Sequence, residues 1–404
     1  MSISATSISG VPASSNVRPL SLTAAYYASF LALGLTVGSL GPTLPSLANQ
    51  THVGLSAISY LFTARSMGYV LGSVKGGHLF DRRSGNPVMA VMVGLMAIMM
   101  AMVPLVPYLW LLLVVMIILG AAESALDVGG NTLLTWVHGK RVAPFMNAMH
   151  SFFGVGALIA PIVVAQTEAF KRPMTHSYFV LALLILPVAI YTLRLASPVP
   201  VAAVKHEMSP LANTRLAFLI AFFLFLYVGA EVGFAGWIFT YATELKLSVA
   251  STAAYLTSLF WGSLTLGRVV TIPIAVRFSL RSILLVSLGG CLLSLGLILV
   301  SPESFAAVLI GTICLGLSMA SIFPTMLSLA SRRVKMTGQL TGWFIVASSA
   351  GAMLIPLVIG QAFASIGPRV VVIVTMITLL AAVGVLAFVI RNSEHISSEG
   401  RKIK

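Results

Sequence analysis

Charge is scarce in this sequence. Of 404 residues only 8% are Asp, Glu, Lys or Arg, and acidic side chains number 10. A water-soluble domain carries roughly 25% charged residues, so this chain cannot cover a water-facing surface with charge. Cysteine is almost missing too. Cys291 and Cys314 both lie inside apolar runs and read as small core hydrophobes, which excludes a disulfide scaffold and a thiolate metal site. There is no Gly-x4-Gly-Lys-Ser/Thr loop to hold a phosphate. No metal-ligand set and no nucleophile–base–orienter arrangement stands out, so an enzyme is not expected. Neither a cofactor nor a metal is implied. The Ser-rich start lacks the charged opening and short apolar core of a cleavable signal. Residues 1–19 are therefore expected to form a disordered cytoplasmic tail.

What the chain has is apolar length. Hydrophobic residues make up 58% of it, in recurring runs long enough to cross a ~30 Å hydrocarbon core. The lipid bilayer is the expected solvent, and backbone groups in lipid must be satisfied within their own segment, as in a helix. A barrel would need short alternating strands, and stretches such as 88–106 do not alternate. The runs predict an all-α membrane protein of twelve spanning helices in two pseudo-symmetric six-helix bundles. The first six are placed at 20–44, 55–79, 87–106, 109–136, 142–166 and 177–195. The second six are placed at 216–242, 251–275, 282–301, 305–330, 341–364 and 368–390. This gives an N-terminal bundle over 20–195, a cytoplasmic linker over 196–214, a C-terminal bundle over 215–390 and a cytoplasmic tail over 391–404.

The formal charge of +14 does not point to nucleic acid, because the basic residues are scattered between apolar runs. With twelve spans, the connections and tails on the side of both termini hold 18 Lys and Arg, against 4 on the other. Cytoplasmic loops carry that excess, so both termini are expected in the cytoplasm and the protein in the inner (plasma) membrane.

An internal repeat is visible in the letters. GALIAPIVVAQ, from Gly156 to Gln166, and GAMLIPLVIGQ, from Gly351 to Gln361, match at a spacing of 195 residues. The same spacing carries Gly72 onto Gly267 and Arg82 onto Arg277. Two parallel repeats imply a solute site at their interface near the midplane, exposed to each side in turn as one half rocks on the other. One chain already holds both halves of such a site, so a monomer suffices.

Ionisable residues inside membrane helices are expensive and mark function unless they are paired. The sequence has Arg65, Glu123, Asp127, His150, Glu231 and Arg268 in such positions. Glu123, Asp127 and Asn131 recur every four residues and lie along one helix face. At ~1.5 Å per residue from the cytoplasmic ends, Glu123 and Arg65 lie about 21–22 Å deep, and Asp127 and His150 about 14–15 Å. The depths suggest Arg65–Glu123 and Asp127–His150 as pairs, with Asp127 left as a carboxyl able to bind and release a proton. In YVGAEVGFAGWIFTYA, from Tyr227 to Ala242, Glu231 with Trp237 and Tyr241 suits a sugar: the aromatic ring stacks on C–H groups and the acid accepts hydroxyl hydrogens. Trp237 could equally be an interfacial belt residue.

GGHLFDRRSG, residues 76–85, carries a Gly-x-Leu-x-Asp-Arg core in Gly77, Leu79, Asp81 and Arg82. It resembles the cytoplasmic gate motif of the major facilitator superfamily, departing from it by one extra residue before Gly85. LGPTLPSLA (40–48), ALDVGGNTLL (125–134), NAMHSFFGVGALIAP (147–161) and YVGAEVGFAGW (227–237) resemble the fucose permease and sodium-dependent glucose transporter branch. The resemblance implies cation-coupled symport of a monosaccharide, with a proton or sodium ion as partner. It matches Asp127 and Asn131 to the branch's fourth-helix acid and asparagine, and brings Asn147 and His150 into the candidate set. Fucose permease has an acidic residue in its first helix, whereas residues 20–48 here have none. A proton-driven exporter of drugs or metabolites is the alternative. Such exporters carry a Gly-Pro pair with flanking glycines in the fifth helix, while Gly154, Gly156 and Pro161 are spread out here. A non-transporting sensor or scaffold would have little reason to keep so many buried ionisable groups.

Overall fold

The computed structural model describes residues 19–198, 214–334 and 338–402, without the side chains of 77, 78, 81, 82, 214, 338, 339 and 392–402. The described residues are helical and contain no strand. In chain order the helices are α1 (Pro19–Gln50), α2 (Leu55–Ile58), α3 (Tyr60–Arg82), α4 (Gly85–Met102), α5 (Leu109–His138), α6 (Val142–Ala169) and α7 (Met174–Leu193). They continue as α8 (Thr214–Glu244), α9 (Ala250–Arg277), α10 (Leu280–Val300), α11 (Phe305–Met319), α12 (Ile322–Arg333), α13 (Gly338–Ile366) and α14 (Val370–Lys402). Length and composition qualify 10 stretches of them to cross a membrane, one being the continuous Leu109–Ala169 that holds both α5 and α6. Large apolar side chains face outward, Val276 at 85% and Leu293 at 79% exposure. A surface of this kind is stable against lipid and unstable in water. This is a multi-pass membrane protein.

The expected tail at 1–19 lies outside the described residues apart from its last position, and so does most of the linker, 199–213. Where the C-terminal tail was expected, α14 runs on as helix to Lys402. The first helix is longer than its expected end at 44, because it continues through Pro42 and Pro45 to Gln50. Neighbouring helices can take up the backbone groups a membrane proline frees. The end of α1 is then fixed by the Gln50 amide, which donates to the Val103 and Val106 carbonyls at 3.0 and 2.6 Å. Two expected single spans are broken: α2 gives way to α3 at Ser59, and α11 to α12 at Ala320–Ser321.

The packing repeats with the sequence. Among α1–α7, α3 lies along α5, α1 along α6, and α4 along α7. Among α8–α14, α9 lies along α11, α8 along α13, and α10 along α14, the same pairs six long helices later. The two groups meet through α6 with α9 and α13 with α3, again a matched pair. Both junctions are tied at the end of the bundle where α1 gives way to α2. The Gln166 amide donates to the Tyr255 hydroxyl at 2.7 Å. The Gln361 amide donates to the Ser56 carbonyl at 2.8 Å and accepts from the Ser56 hydroxyl at 2.8 Å. These are the two glutamines that the 195-residue spacing equates.

Candidate functional site

The site begins with how closely α3 and α5 approach. Gly68 and Gly72, one turn apart on α3, sit where an added Cβ would strike the Ile117 and Ala121 carbonyls of α5. Backbones in such contact let short side chains bridge the two helices. Arg65 donates through Nε and Nη2 to the two Glu123 oxygens at 2.8 and 2.6 Å, a bidentate pair. One turn on, the Tyr69 hydroxyl donates to Asp127 Oδ2 at 2.5 Å. Asn131 Nδ2 donates to the other oxygen, Asp127 Oδ1, at 2.9 Å and to the Asp127 carbonyl at 2.8 Å. The two rungs share one register because both helices repeat every four residues on the facing sides.

These rungs edge a cavity of about 360 Å³ between α1, α3 and α5 on one side and α8, α9, α12 and α13 on the other. Arg65, Tyr69, Glu123 and Asp127 line it from the first group of helices. The second group presents mainly apolar and hydroxyl side chains, among them Val228, Thr257, Trp261, Phe323 and Ser348. The size is at the lower end of ligand pockets, which run roughly 300–1,000 Å³.

The Arg65–Glu123 pair forms as its depth predicted. The Asp127–His150 pair does not: both Asp127 oxygens accept from Tyr69 and Asn131, and the His150 ring stands edge-on to Phe30 with centroids 5.3 Å apart. Equal depth does not give equal direction around a helix, and an uncharged tyrosine took the place expected of the histidine. Glu231 is buried and is not among the side chains lining the cavity, although its neighbours Val228, Val232 and Ala235 are. It lies within electrostatic reach of Arg268 on α9, beyond ion-pairing distance.

Trp237 neither lines the cavity nor faces lipid. It is fully buried, its ring stacks on Phe363 with centroids 5.4 Å apart, and its N–H donates to the Pro356 carbonyl at 3.1 Å. Tyr241 is buried as well, and its hydroxyl reaches the Pro302 carbonyl at 3.4 Å. Asn147 is exposed on the first turns of α6, outside the lining. The side chains of the expected gate motif, Gly77, Asp81 and Arg82, lie outside the described residues, and only the α3 backbone is seen there.

Sequence reading missed Tyr69 and Trp261. Tyr69 was within reach of it, because it follows Arg65 at the spacing by which Asp127 follows Glu123. Trp261 had no such signal, since Trp237 offered the same chemistry and only the fold shows which ring meets the cavity. Trp261 is held edge-on by Phe153 and Phe260, with centroids 6.0 and 5.6 Å away.

Known proteins share this architecture. The nucleoside transporter NupG superposes with a TM-score of 0.73 at 17% identity, over 92% of this chain and 99% of that one. A bacterial homologue of the human lysosomal transporter Spinster gives 0.70 at 13% identity, over 92% and 96%. In sequence, sodium-dependent glucose transporter 1A of Mus musculus is 28% identical over 377 residues, 83% of this chain and 88% of its own. Sodium-dependent glucose transporter 1 of Homo sapiens is 29% identical over 398 residues, 89% of this chain and 77% of its own. Major facilitator superfamily domain-containing protein 4A of Homo sapiens is 26% identical over 87% of this chain and 88% of its own. The family signature itself matches residues 26–356, most of the chain from α1 into α13. With that match and the repeated helix packing around a shared cavity, the chain belongs to the Major Facilitator Superfamily of transporters.

Proposed function

We propose that this protein takes up a monosaccharide by symport with a cation, the cavity between the two helix groups opening to each side of the membrane in turn. The observation that carries the reading is Asp127, a carboxylate inside the helix bundle that lines the cavity and is held by two neutral donors. Among the described residues Asp127 has no ion pair, so it can accept a cation, whereas Glu123 spends its charge on Arg65. A carboxylate takes up a proton directly and can be one of several oxygen ligands to a sodium ion. Relatives named for sodium-dependent glucose transport make sodium the first ion to test.

In this reading twelve helices span the plasma membrane, with α2–α3 and α11–α12 each forming one broken span. The bundles cover 20–195 and 215–390, both termini are cytoplasmic, and a monomer suffices. The α1–α2 end then faces outward, and the glutamine ties hold it shut. Asn131, Tyr69 and the Arg65–Glu123 rung fix Asp127 in direction, and the solute lies against it.

The test is ion movement in proteoliposomes carrying a trapped pH or sodium dye, with hexoses, deoxyhexoses and common drugs added in turn. A hexose should drive inward flux of one ion, and Asp127→Asn should abolish that flux. Silence with every hexose, together with flux driven by a drug, would replace this reading with an exporter.

A further inference from the structure

Helices α6 and α9, which join the two groups, run antiparallel in a fixed register. Gln166 meets Tyr255 through their hydrogen bond. A Cβ added at Gly262 would strike the Leu158 side chain, and one added at Gly154 would strike Thr265. Leu158 and Gly154 are four residues apart and Gly262 and Thr265 three, so each series follows one helix face. One more turn along both faces brings His150 of α6 opposite Arg268 of α9. The two lie within electrostatic reach of each other, and Asp127 of α5 lies within reach of His150 as well.

His150 acts on these charges without touching them. Both Asp127 oxygens accept from Tyr69 and Asn131, and the half-buried imidazole stands edge-on to Phe30. Among the described residues its ring nitrogens have no hydrogen-bond partner, and Arg268 has no ion pair. The charges that face His150 are thus Asp127 from α5 and Arg268 from α9, while α1 presents a phenyl ring and α7 adds no charge. Glu231 of α8 is a further charge within reach of Arg268.

A carboxylate nearby favours a charged imidazole, and a guanidinium disfavours it. Histidine is the side chain whose charge changes near neutral pH. An imidazolium at position 150 gains from Asp127 only while that carboxylate is unoccupied. Once a cation neutralises Asp127, the repulsion from Arg268 stands alone.

We infer that His150 is a proton site set against the cation site at Asp127: a cation bound by Asp127 expels a proton from His150, and a proton on His150 weakens the hold of Asp127 on its cation. The inference rests on Asp127 being the cation site, and it deepens that reading. The imidazolium N–H bond breaks, its electron pair stays on the ring nitrogen and the proton passes to water, so one positive charge leaves as another arrives. Linkage makes the two effects equal in size. Arg268 sets the pH at which the exchange occurs, and it does so from the other helix group.

The test is a histidine titration by nuclear magnetic resonance, on purified full-length protein with isotope-labelled histidine in nanodiscs. The chain has 7 His, and His150→Gln identifies the signal of His150 by its loss. Asp127→Asn should lower the His150 midpoint by about one pH unit, and Arg268→Gln should raise it by about as much. Arg268→Lys keeps the charge and should leave the midpoint where it is. A histidine with a purely structural role would not follow the two charges in opposite directions. Saturating sodium chloride should lower the wild-type midpoint as Asp127→Asn does, and potassium chloride at the same ionic strength controls for screening. By reciprocity, sodium should bind about tenfold more weakly below the midpoint than above it, and His150→Gln should abolish that dependence. The sodium arm uses the unaltered chain, so it stands even where a variant fails to fold. A His150 signal that does not titrate between about pH 5 and 8, or a midpoint that ignores sodium and both charge-removing variants, would overturn the inference and leave the cation reading of Asp127 standing. A midpoint lowered by Asp127→Asn yet untouched by sodium would uphold the link and make the proton the ion that Asp127 takes.

Discussion

At the scale of single residues, the site depends on which polar groups are paired and which are not. Arg65 and Glu123 neutralise each other at low exposure, 13% and 2% for the side chains. Removing one partner of a buried pair leaves an uncompensated charge, and Arg65→Ala is expected to destabilise by about 3–5 kcal/mol. The double change Arg65→Met with Glu123→Leu should recover most of that loss, since an apolar pair of similar volume is often neutral. Thermal unfolding of the solubilised protein separates the two. Trp237→Ala should act on the fold rather than on the solute. Emptying a buried tryptophan site should cost about 3–5 kcal/mol, while glucose affinity of the surviving folded protein stays within about twofold. A selective loss of affinity at full stability would return Trp237 to the site.

At the scale of helices, close approach and end contacts decide the geometry. Gly72→Leu would drive a side chain into the Ala121 backbone, and neither helix can retreat without parting Arg65 from Glu123. The expected result is loss of folded protein in fluorescence-detected size-exclusion chromatography, and a monodisperse variant at wild-type yield would contradict the packing argument. The two glutamines act on a softer element. Gln166→Ala with Gln361→Ala removes the side-chain bonds to Tyr255, Ser56 and Ser59 and leaves the core of each group untouched. Spin labels placed across the α6–α9 and α13–α3 junctions at that end should show a broader and longer distance distribution in the double variant. An unchanged distribution would mean that apolar packing alone holds the end shut.

These elements also show what could be read from the letters alone. Helix existence followed from apolar length, and the repeated glutamines announced the symmetry because polar residues in matching frame are rare inside apolar runs. Helix ends were less legible. Pro42 and Pro45 looked like a stop, yet tertiary contacts carried α1 on to Gln50. The acidic face of α5 was legible because a period of four puts Glu123, Asp127 and Asn131 on one side. Partners were not, because choosing Tyr69 over His150 requires the rotation of two helices about their axes, which hydropathy does not encode. The same blindness exchanged Trp237 for Trp261 on the cavity wall.

At the scale of the whole molecule, the proposed function is one of coupling: solute and cation would meet in one cavity, with Asp127 carrying the cation. Among the described residues its carboxylate is the lining acid without an ion pair. Removing its charge should uncouple the two movements without destroying the cavity, because asparagine keeps the shape and still accepts a hydrogen bond from Tyr69. The direct measurement compares two modes in one batch of Asp127→Asn proteoliposomes, glucose exchange at equilibrium and glucose accumulation under an imposed cation gradient. Exchange that persists within about tenfold of wild type, with accumulation lost, is the predicted result. Full accumulation by Asp127→Asn would contradict the account and remove Asp127 from the coupling mechanism.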